Sequence, residues 1–317
     1  MSKTGIWLVI AASLMVLGMV ILLLTAHAVN WNFAGFSTSV YNKVDSEFDS
    51  ISINTDTADI EFLPSDNGNC RVICYESEKV KHVVSVVDRV LTVSVEDGRK
   101  WYEHLNIGFR TPRLTVYLPK SEYALLVIRE STGDVKMPQG FTFGRVDISV
   151  STGDVEWSAS VTDSVKIKAN TGDICVEDTS VGSLDLSVTT GRVSVSDVTV
   201  AGDVTVGVST GKTDLEDVKC QNLISNGSTG DMLLEDVIAG GKFSIERSTG
   251  DVKFEECDAA EIFVRTDTGD IRGSLLTDKV FITKTDTGKI RVPTSSVGGR
   301  CELITDTGDI YIRIGED

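Results

Sequence analysis

The sequence predicts an all-β protein: a parallel β-solenoid of about ten coils of 19–20 residues, preceded by a β-rich cap and, before the cap, by one transmembrane helix. Three observations support this fold class. A tetrapeptide of the type [STDN]-T-G-[DRK] recurs ten times, apolar residues alternate with polar ones around it, and one long uncharged run stands near the N-terminus. A fixed period of this length is typical of repeat architectures, in which each unit buries its apolar face against the next.

The glycines of the tetrapeptide define the period. Successive glycines are 20, 19, 19, 20, 19, 20, 19, 19 and 20 residues apart. They are Gly133, Gly153, Gly172, Gly191, Gly211, Gly230, Gly250, Gly269, Gly288 and Gly308. No window keeps apolar residues at i, i+3, i+4 and i+7, as an amphipathic helix would require. Separate antiparallel hairpins remain an alternative, but the fixed period fits a solenoid with one coil per glycine better.

Four apolar columns appear when the coils are aligned on their glycines, at seven and five residues before the glycine and at two and four residues after it. The coil of Gly191 shows them as Leu184, Leu186, Val193 and Val195. Period-two alternation on both sides of a corner predicts two short, half-buried strands per coil. We expect the same strand of successive coils to pair in parallel, about 4.8 Å apart.

The corners between these strands have their own chemistry. Threonine precedes the glycine in all ten coils, and aspartate follows it in seven. The other three coils carry Arg192, Lys212 and Lys289. Glycine accepts a positive φ without strain, and the aspartate can accept hydrogen bonds from turn amides. Calcium at pairs such as Asp267 with Asp270 is the alternative. We favour amide capping and assign no metal-binding, cofactor-binding or catalytic residue.

The N-terminal run Ile6–Leu24 holds 19 residues without a charge. As a helix it would span roughly 28 Å, close to the thickness of a bilayer core. A cleaved signal peptide is the alternative, because Ala26-His27-Ala28 has the small-x-small pattern of a cleavage site. The run is longer than a usual signal h-region, so we predict an uncleaved anchor. Lys3 then stays inside. The remainder of the chain lies outside and has a net charge of −18, since removing Lys3 lowers the total of −17 by one.

The region between the anchor and the regular coils predicts a cap. Residues 48–62 look like one early coil, in which Thr57-Ala58-Asp59 replaces the glycine corner. Four further strands are predicted at Cys70–Tyr75, Val83–Val87, Val90–Val95 and Arg113–Leu118. The predicted organisation is a cytoplasmic tail, a signal-anchor helix, a spacer, the cap and the solenoid, at residues 1–5, 6–28, 29–44, 45–125 and 126–317.

Two short motifs resemble catalytic sequences. Asp-Thr-Gly, at Asp267, Asp286 and Asp306, matches the triplet of aspartic proteases, which need two such loops facing each other. Here the triplets recur at the repeat period and would stack side by side. Ser209–Thr213 resembles the end of a P-loop, but the required first glycine is Val206 and no helix follows. Both motifs are predicted to be corners.

The cysteine spacing and the net negative charge limit which ions and macromolecules the protein is expected to bind. The six cysteines are predicted to be free thiols, and we find no Cys–His spacing typical of a metal site. Nucleic acids and anionic lipids are not expected as partners, since the acidic part of the chain repels their phosphates. Trp101 and Tyr102 in the cap are either a loop packing contact, which we favour, or a sugar-stacking platform.

The motifs resemble those of a bacterial β-strand-repeat family known as "putative adhesin", a domain of unknown function. The resemblance rests on F-D-S-I-S-I-N-T-D-T-A-D-I-E-F (48–62), R-L-T-V-Y-L-P (113–119) and the serial S-T-G-D-V corners. It covers most of the chain after the anchor. It implies a repetitive all-β ectodomain at the bacterial envelope, and it carries over no catalytic residue.

We predict a non-enzymatic envelope protein: an adhesin-like binding scaffold for a protein or polysaccharide ligand, without a cofactor. One outward column, six residues before the glycine, holds Ile224, Ser244, Phe263 and Ile282. It marks either a partner site or contact with a flanking loop. The first alternative function is an envelope-stress sensor that acts through a membrane partner. The second, a polysaccharide-active β-helix enzyme, would need an outward cluster of acids and bases that breaks the repeat.

Overall fold

The computed structural model describes residues 15, 18–20, 36–42, 44, 46–77, 80–98 and 112–315. Residues 15 and 18–20 are helical. The rest of the predicted anchor at 6–28 lies outside the described residues, as do Trp101 and Tyr102. Within the described part, no helix is both long enough and apolar enough to cross a bilayer.

The described residues form 25 strands in one continuous sheet, as the sequence predicts for an all-β solenoid. The strands before the regular coils are β1 (Phe36–Asn42), β2 (Ser50–Thr57), β3 (Asp59–Pro64), β4 (Arg71–Ser77), β5 (Val80–Val87), β6 (Val90–Asp97) and β7 (Arg113–Leu118). The strands of the first regular coils are β8 (Glu122–Thr132), β9 (Val135–Met137), β10 (Thr142–Thr152), β11 (Val155–Trp157), β12 (Ser160–Thr171), β13 (Ile174–Thr190), β14 (Val193–Val200), β15 (Val204–Thr210) and β16 (Thr213–Cys220). The remaining strands are β17 (Leu223–Thr229), β18 (Met232–Glu235), β19 (Ile238–Thr249), β20 (Val252–Thr268), β21 (Ile271–Leu275), β22 (Lys279–Thr287), β23 (Ile290–Arg291), β24 (Gly299–Thr307) and β25 (Ile310–Ile314).

The predicted columns form the core. All four are buried in the coils from Gly133 to Gly269 and again in the coil of Gly308, except at Gly273, which is half-buried. The ten corner glycines have φ between 129° and 159°, so the predicted positive φ is confirmed. Parallel pairing is confirmed as well: in the coil of Gly191, Leu184 lies opposite Val204 of the next coil.

Each central coil has three sides, where the sequence predicts two strands. The third side begins at an acidic residue six positions after the corner glycine, in left-handed conformation with φ between 50° and 54°. These residues are Asp178, Asp197, Asp217, Asp236 and Glu256. Behind Asp178, residues 179–181 pair in parallel with 198–200. A strand of three residues is too short to show an alternation of apolar and polar residues in the sequence. The acidic residues at the same position of successive coils were the available signal for this corner.

The order of the last two coils differs from their order in the sequence. The final coil, β24 and β25, is inserted between its two predecessors. β24 pairs with β20 on one side and with β22 on the other, and β25 pairs likewise with β21 and β23. The coil of Gly288 is therefore the end of the stack. This position explains why Ile290, in an otherwise buried column, is 45% exposed.

The N-terminal end of the stack is built in a similar way. The predicted early coil, β2 and β3 with Ala58 at its corner, lies inside the stack, because β2 pairs in parallel with both β6 and β8. The four cap strands are confirmed as β4 to β7. β5 covers β6 in antiparallel pairing, and β4 covers β7. β1 pairs with β4, so the predicted spacer at 29–44 contains a strand of the cap.

Candidate functional site

The corner aspartates bind backbone amides, which confirms the predicted capping. The backbone N–H of Asp251 donates to Asp231 Oδ1 at 3.0 Å, and that of Asp270 donates to Asp251 Oδ1 at 2.8 Å. The amide belongs to the neighbouring coil, whereas the sequence predicts an amide of the residue's own turn. Each carboxylate therefore joins two coils.

The Asp-Thr-Gly triplets lie at three such corners. Thr307 is paired with Thr268 on one side and with Thr287 on the other, so the triplets stack in neighbouring coils. Stacked triplets on one edge do not form the facing pair that an aspartic protease requires. All six cysteines are free, as predicted.

A groove of about 570 Å³ crosses five coils on the side that precedes the glycine corner. Its lining runs from β13 through β15, β17 and β19 to β20. At a coil spacing of about 4.8 Å, five coils extend over roughly 19 Å. The groove exists because short side chains occupy its outward positions in consecutive coils: Ser187, Gly207, Ser209, Asn226 and Ser228.

Larger polar and aromatic groups line the groove at its β19–β20 end. Glu246, Arg265 and Asp267 are exposed there, and Phe263 is half-buried. Arg265 Nε lies 3.7 Å from Asp267 Oδ1, so this basic side chain is partly paired. Phe263 belongs to the outward apolar column six residues before the glycine, and the structure places it in this lining.

Arg247 also lines the groove, although its side chain is only 3% exposed. Its Nη2 donates to Thr213 Oγ1 at 2.9 Å and to Ser225 Oγ at 3.1 Å. Nε and Nη1 are buried and have no hydrogen-bond partner within the described part of the chain. Burial lowers the pKa of Arg247, and the negative charge of Asp231 opposes this change.

The groove lies where the repeat is broken. Thr213 and Ser225 are polar exceptions in two apolar columns, and Gly227 leaves the space that Arg247 fills. A Cβ atom on Gly227 would lie 2.0 Å from Arg247 Nη1. The sequence predicts no site here, because the acids and bases of a typical site point outward, whereas this cluster points inward. Polar residues at core positions of adjacent coils were the available signal.

A second cluster lies in the cap and consists of Cys74, Glu76 and His82. The three side chains are at most 1% exposed, and their ligand atoms lie within 4.8 Å of one another. Burial, together with the charge of Glu76, raises the pKa of the Cys74 thiol to about 12. No metal ligand is predicted from the sequence. The spacing C-x-E-x5-H, on two strands that follow one another, was the available signal.

Comparison with solved structures finds bacterial proteins at low identity. One is a "putative lipid binding protein" from Parabacteroides distasonis, with 16% identity, a TM-score of 0.45, and coverage of 75% of this chain and 94% of that chain. Another is a "putative adhesin" from Bacteroides fragilis, with 14% identity, a TM-score of 0.36, and coverage of 88% and 97%. A comparison with curated proteins finds no match.

Comparison with protein families finds one family that matches this chain twice. Residues 48–208 and residues 201–317 each match the Toastrack DUF4097 family, so the matches cover well over half of the chain. They confirm the resemblance to a β-strand-repeat domain of unknown function that the corner motifs indicate. The chain belongs to the Toastrack DUF4097 family.

Proposed function

We propose that this protein is a non-enzymatic binding scaffold of the cell envelope, and that its groove holds a hydroxyl-rich, uncharged glycan chain. The observation that carries the proposal is the groove of about 570 Å³, which lies where core positions of three adjacent coils hold the polar residues Thr213, Ser225 and Arg247.

The shape of the groove supports an elongated ligand. It crosses five coils and is open to solvent, so a chain can lie along the stack. The buried guanidinium of Arg247 occupies the space that a side chain at position 227 would need. Residue 227 therefore has to be glycine, and the groove stays open at this point. Arg247 acts here as a positioning residue, since its polar atoms are shielded from solvent.

The chemistry of the lining supports a sugar. Serine hydroxyls, Asn226, Glu246 and Arg265 offer both donors and acceptors, which suits a ligand that carries many hydroxyl groups. Phe263 adds an apolar ring face against which a sugar ring can pack. A polyanionic glycan is disfavoured, because the whole protein carries a net charge of −17.

Filling the groove tests this proposal. The backbone of Gly207 has no positive φ, and the nearest atom to an added Cβ is Ser187 Oγ at 3.7 Å. Gly207→Trp should therefore fold and occupy the groove. We expect it to weaken the binding of chitohexaose or cellohexaose to the full-length protein in detergent more than about tenfold, as measured by calorimetry.

Ser149→Trp is the matched control, because Ser149 stands at the same outward position two coils before Ser187. It should bind the glycans like the natural protein. Binding of neither glycan, or equal binding by Gly207→Trp, would contradict the proposed site. Release of new reducing ends from either glycan would instead reveal hydrolysis, and the non-enzymatic part of the proposal would be wrong.

The proposed location is the cell membrane, with a single span at residues 6–28 and the solenoid on the outer side. The support is the uncharged run Ile6–Leu24 and the −18 charge of the chain without Lys3. A glycan of the envelope would then lie within reach of the groove.

Fractionation of cells tests the anchor. The full-length chain should sediment with membranes, because about 19 apolar residues match a bilayer core. Leu17→Arg should lower the membrane-bound share, since a central arginine costs about 2.5–3.5 kcal/mol on insertion, whereas Leu17→Ile should not. Recovery of a soluble protein that begins at Val29 would show a cleaved signal peptide instead.

A further inference from the structure

We infer that Cys74, Glu76 and His82 form a binding site for a zinc-class transition-metal ion, which would tie two sides of the cap together. All three side chains are at most 1% exposed, and their ligand atoms lie within 4.8 Å of one another. Across the described residues, no other group of three cysteine, histidine or acidic side chains meets this separation.

The strands place the three side chains on one face. Cys74 and Glu76 stand two residues apart on β4, so they point to the same side of the strand. His82 lies on β5, where its backbone N–H donates to Glu76 Oε2 at 2.6 Å. Its Nδ1 lies 3.0 Å from the same carboxylate oxygen. The imidazole and the carboxylate are therefore held together before any ion binds.

The position of the cluster gives the ion a structural role. β4 pairs with β1 and β7, whereas β5 pairs with β6. No backbone ladder joins β4 to β5 within the ranges that the structure describes, and the backbone N–H and the ring of His82 connect β5 to the Glu76 carboxylate on β4. An ion bound by residues of both strands would add a direct link between the two antiparallel flaps that cover the N-terminal end of the solenoid.

The donor set identifies the class of ion. A thiolate, an imidazole and a carboxylate are the ligands that zinc takes in proteins, whereas calcium and magnesium prefer oxygen alone. Binding replaces the thiol proton with the ion, so one proton is released. The alternative is a buried polar cluster that stabilises the cap without an ion, and it predicts no dependence on metal.

Metal titration of the full-length protein in detergent distinguishes a metal site from a polar cluster that needs no ion. After treatment with a chelator and its removal, we expect the protein to bind one Zn²⁺ per chain and to melt at a higher temperature with Zn²⁺ than with Mg²⁺. Co²⁺ should give the absorption of a cobalt–thiolate bond. Absence of that band in the natural protein would overturn the inference, whatever the behaviour of the variants.

The variants test which residues are ligands. Cys74→Ser and His82→Gln should each lower Zn²⁺ affinity at least about 100-fold. Cys70→Ser is the matched control, because Cys70 is a buried free cysteine just before the same strand and is not part of the cluster. It should bind Zn²⁺ like the natural protein. Undiminished affinity in Cys74→Ser would also rule out the proposed site.

Discussion

Gly191→Val should destabilise the solenoid by more than about 3 kcal/mol. Gly191 has φ of 147°, a conformation that a β-branched residue adopts only under strain. In addition, a Cβ atom at Gly191 would lie 2.0 Å from the carbonyl oxygen of Gly172 in the preceding coil. That oxygen is part of the backbone and cannot move aside without disturbing the stack. The melting temperature of the full-length protein in detergent measures the effect.

Gly207→Val is the matched control for this substitution. Gly207 also lies in a strand of the stack, but it has no positive φ, and the nearest atom to its added Cβ is 3.7 Å away. We expect its melting temperature to stay close to that of the natural protein. If the two variants melted alike, backbone conformation and close approach at the corner would not limit stability.

Glu130→Gln should remove a pH dependence of stability between about pH 4.5 and pH 7. Glu130 is only 4% exposed, and its Oε1 accepts hydrogen bonds from the backbone N–H groups of Ala58 and Thr132. Its Oε2 is buried and has no hydrogen-bond partner among the described residues. Burial raises the pKa of Glu130 from 4.5 to about 7, and the backbone hydrogen bonds only partly oppose this change.

The direction in which stability changes with pH follows from the raised pKa of Glu130. Because the folded state holds the proton more tightly than the unfolded chain, the contribution of Glu130 to stability is fully present below about pH 4.5. It is lost as the pH rises through about 7. Between pH 5 and pH 8 the loss amounts to roughly 2–3 kcal/mol. Glutamine resembles the neutral form at every pH, so Glu130→Gln should be the more stable protein at pH 8.

Urea unfolding at pH 5 and pH 8 measures this difference in the full-length protein. Glu122→Gln is the control, since Glu122 is an exposed glutamate on the same strand, β8. It should keep the pH dependence of the natural protein. An equal change of unfolding free energy with pH in the natural protein and in Glu130→Gln would show that Glu130 does not carry a raised pKa.

Much of the fold could be predicted because its causes are local. A glycine followed by aspartate makes the corner, and period-two alternation sends Leu184 and Leu186 inward on one side and Val193 and Val195 on the other. Ten repetitions of the pattern then indicate stacking. The exact partner of each aspartate was less predictable, since Asp231 Oδ1 binds an amide of the next coil.

The candidate sites could be predicted less well, because their residues meet only across coils or strands. Arg247 reaches Thr213, which lies 34 residues earlier in the chain. Thr213 and Ser225 are each a single polar residue at a position that is apolar in most coils. Only the stacking of three coils brings them together with Arg247. The ligand atoms of His82 and Cys74 likewise come within 4.8 Å of each other only through the way two cap strands pack.

The sequence by itself determined the period, the corners, the inward columns and the parallel stacking of this protein, because each depends on residues within one coil. Only the tertiary structure decided the order of the coils at the ends. Thr307 pairs with Thr268 and with Thr287 alike, although Thr268 and Thr287 belong to coils that follow one another in the sequence. Since all coils present similar columns, the repeat makes many neighbours compatible. The lowest free energy among those arrangements depends on how the connecting segments and the end strands pack, which no single coil encodes.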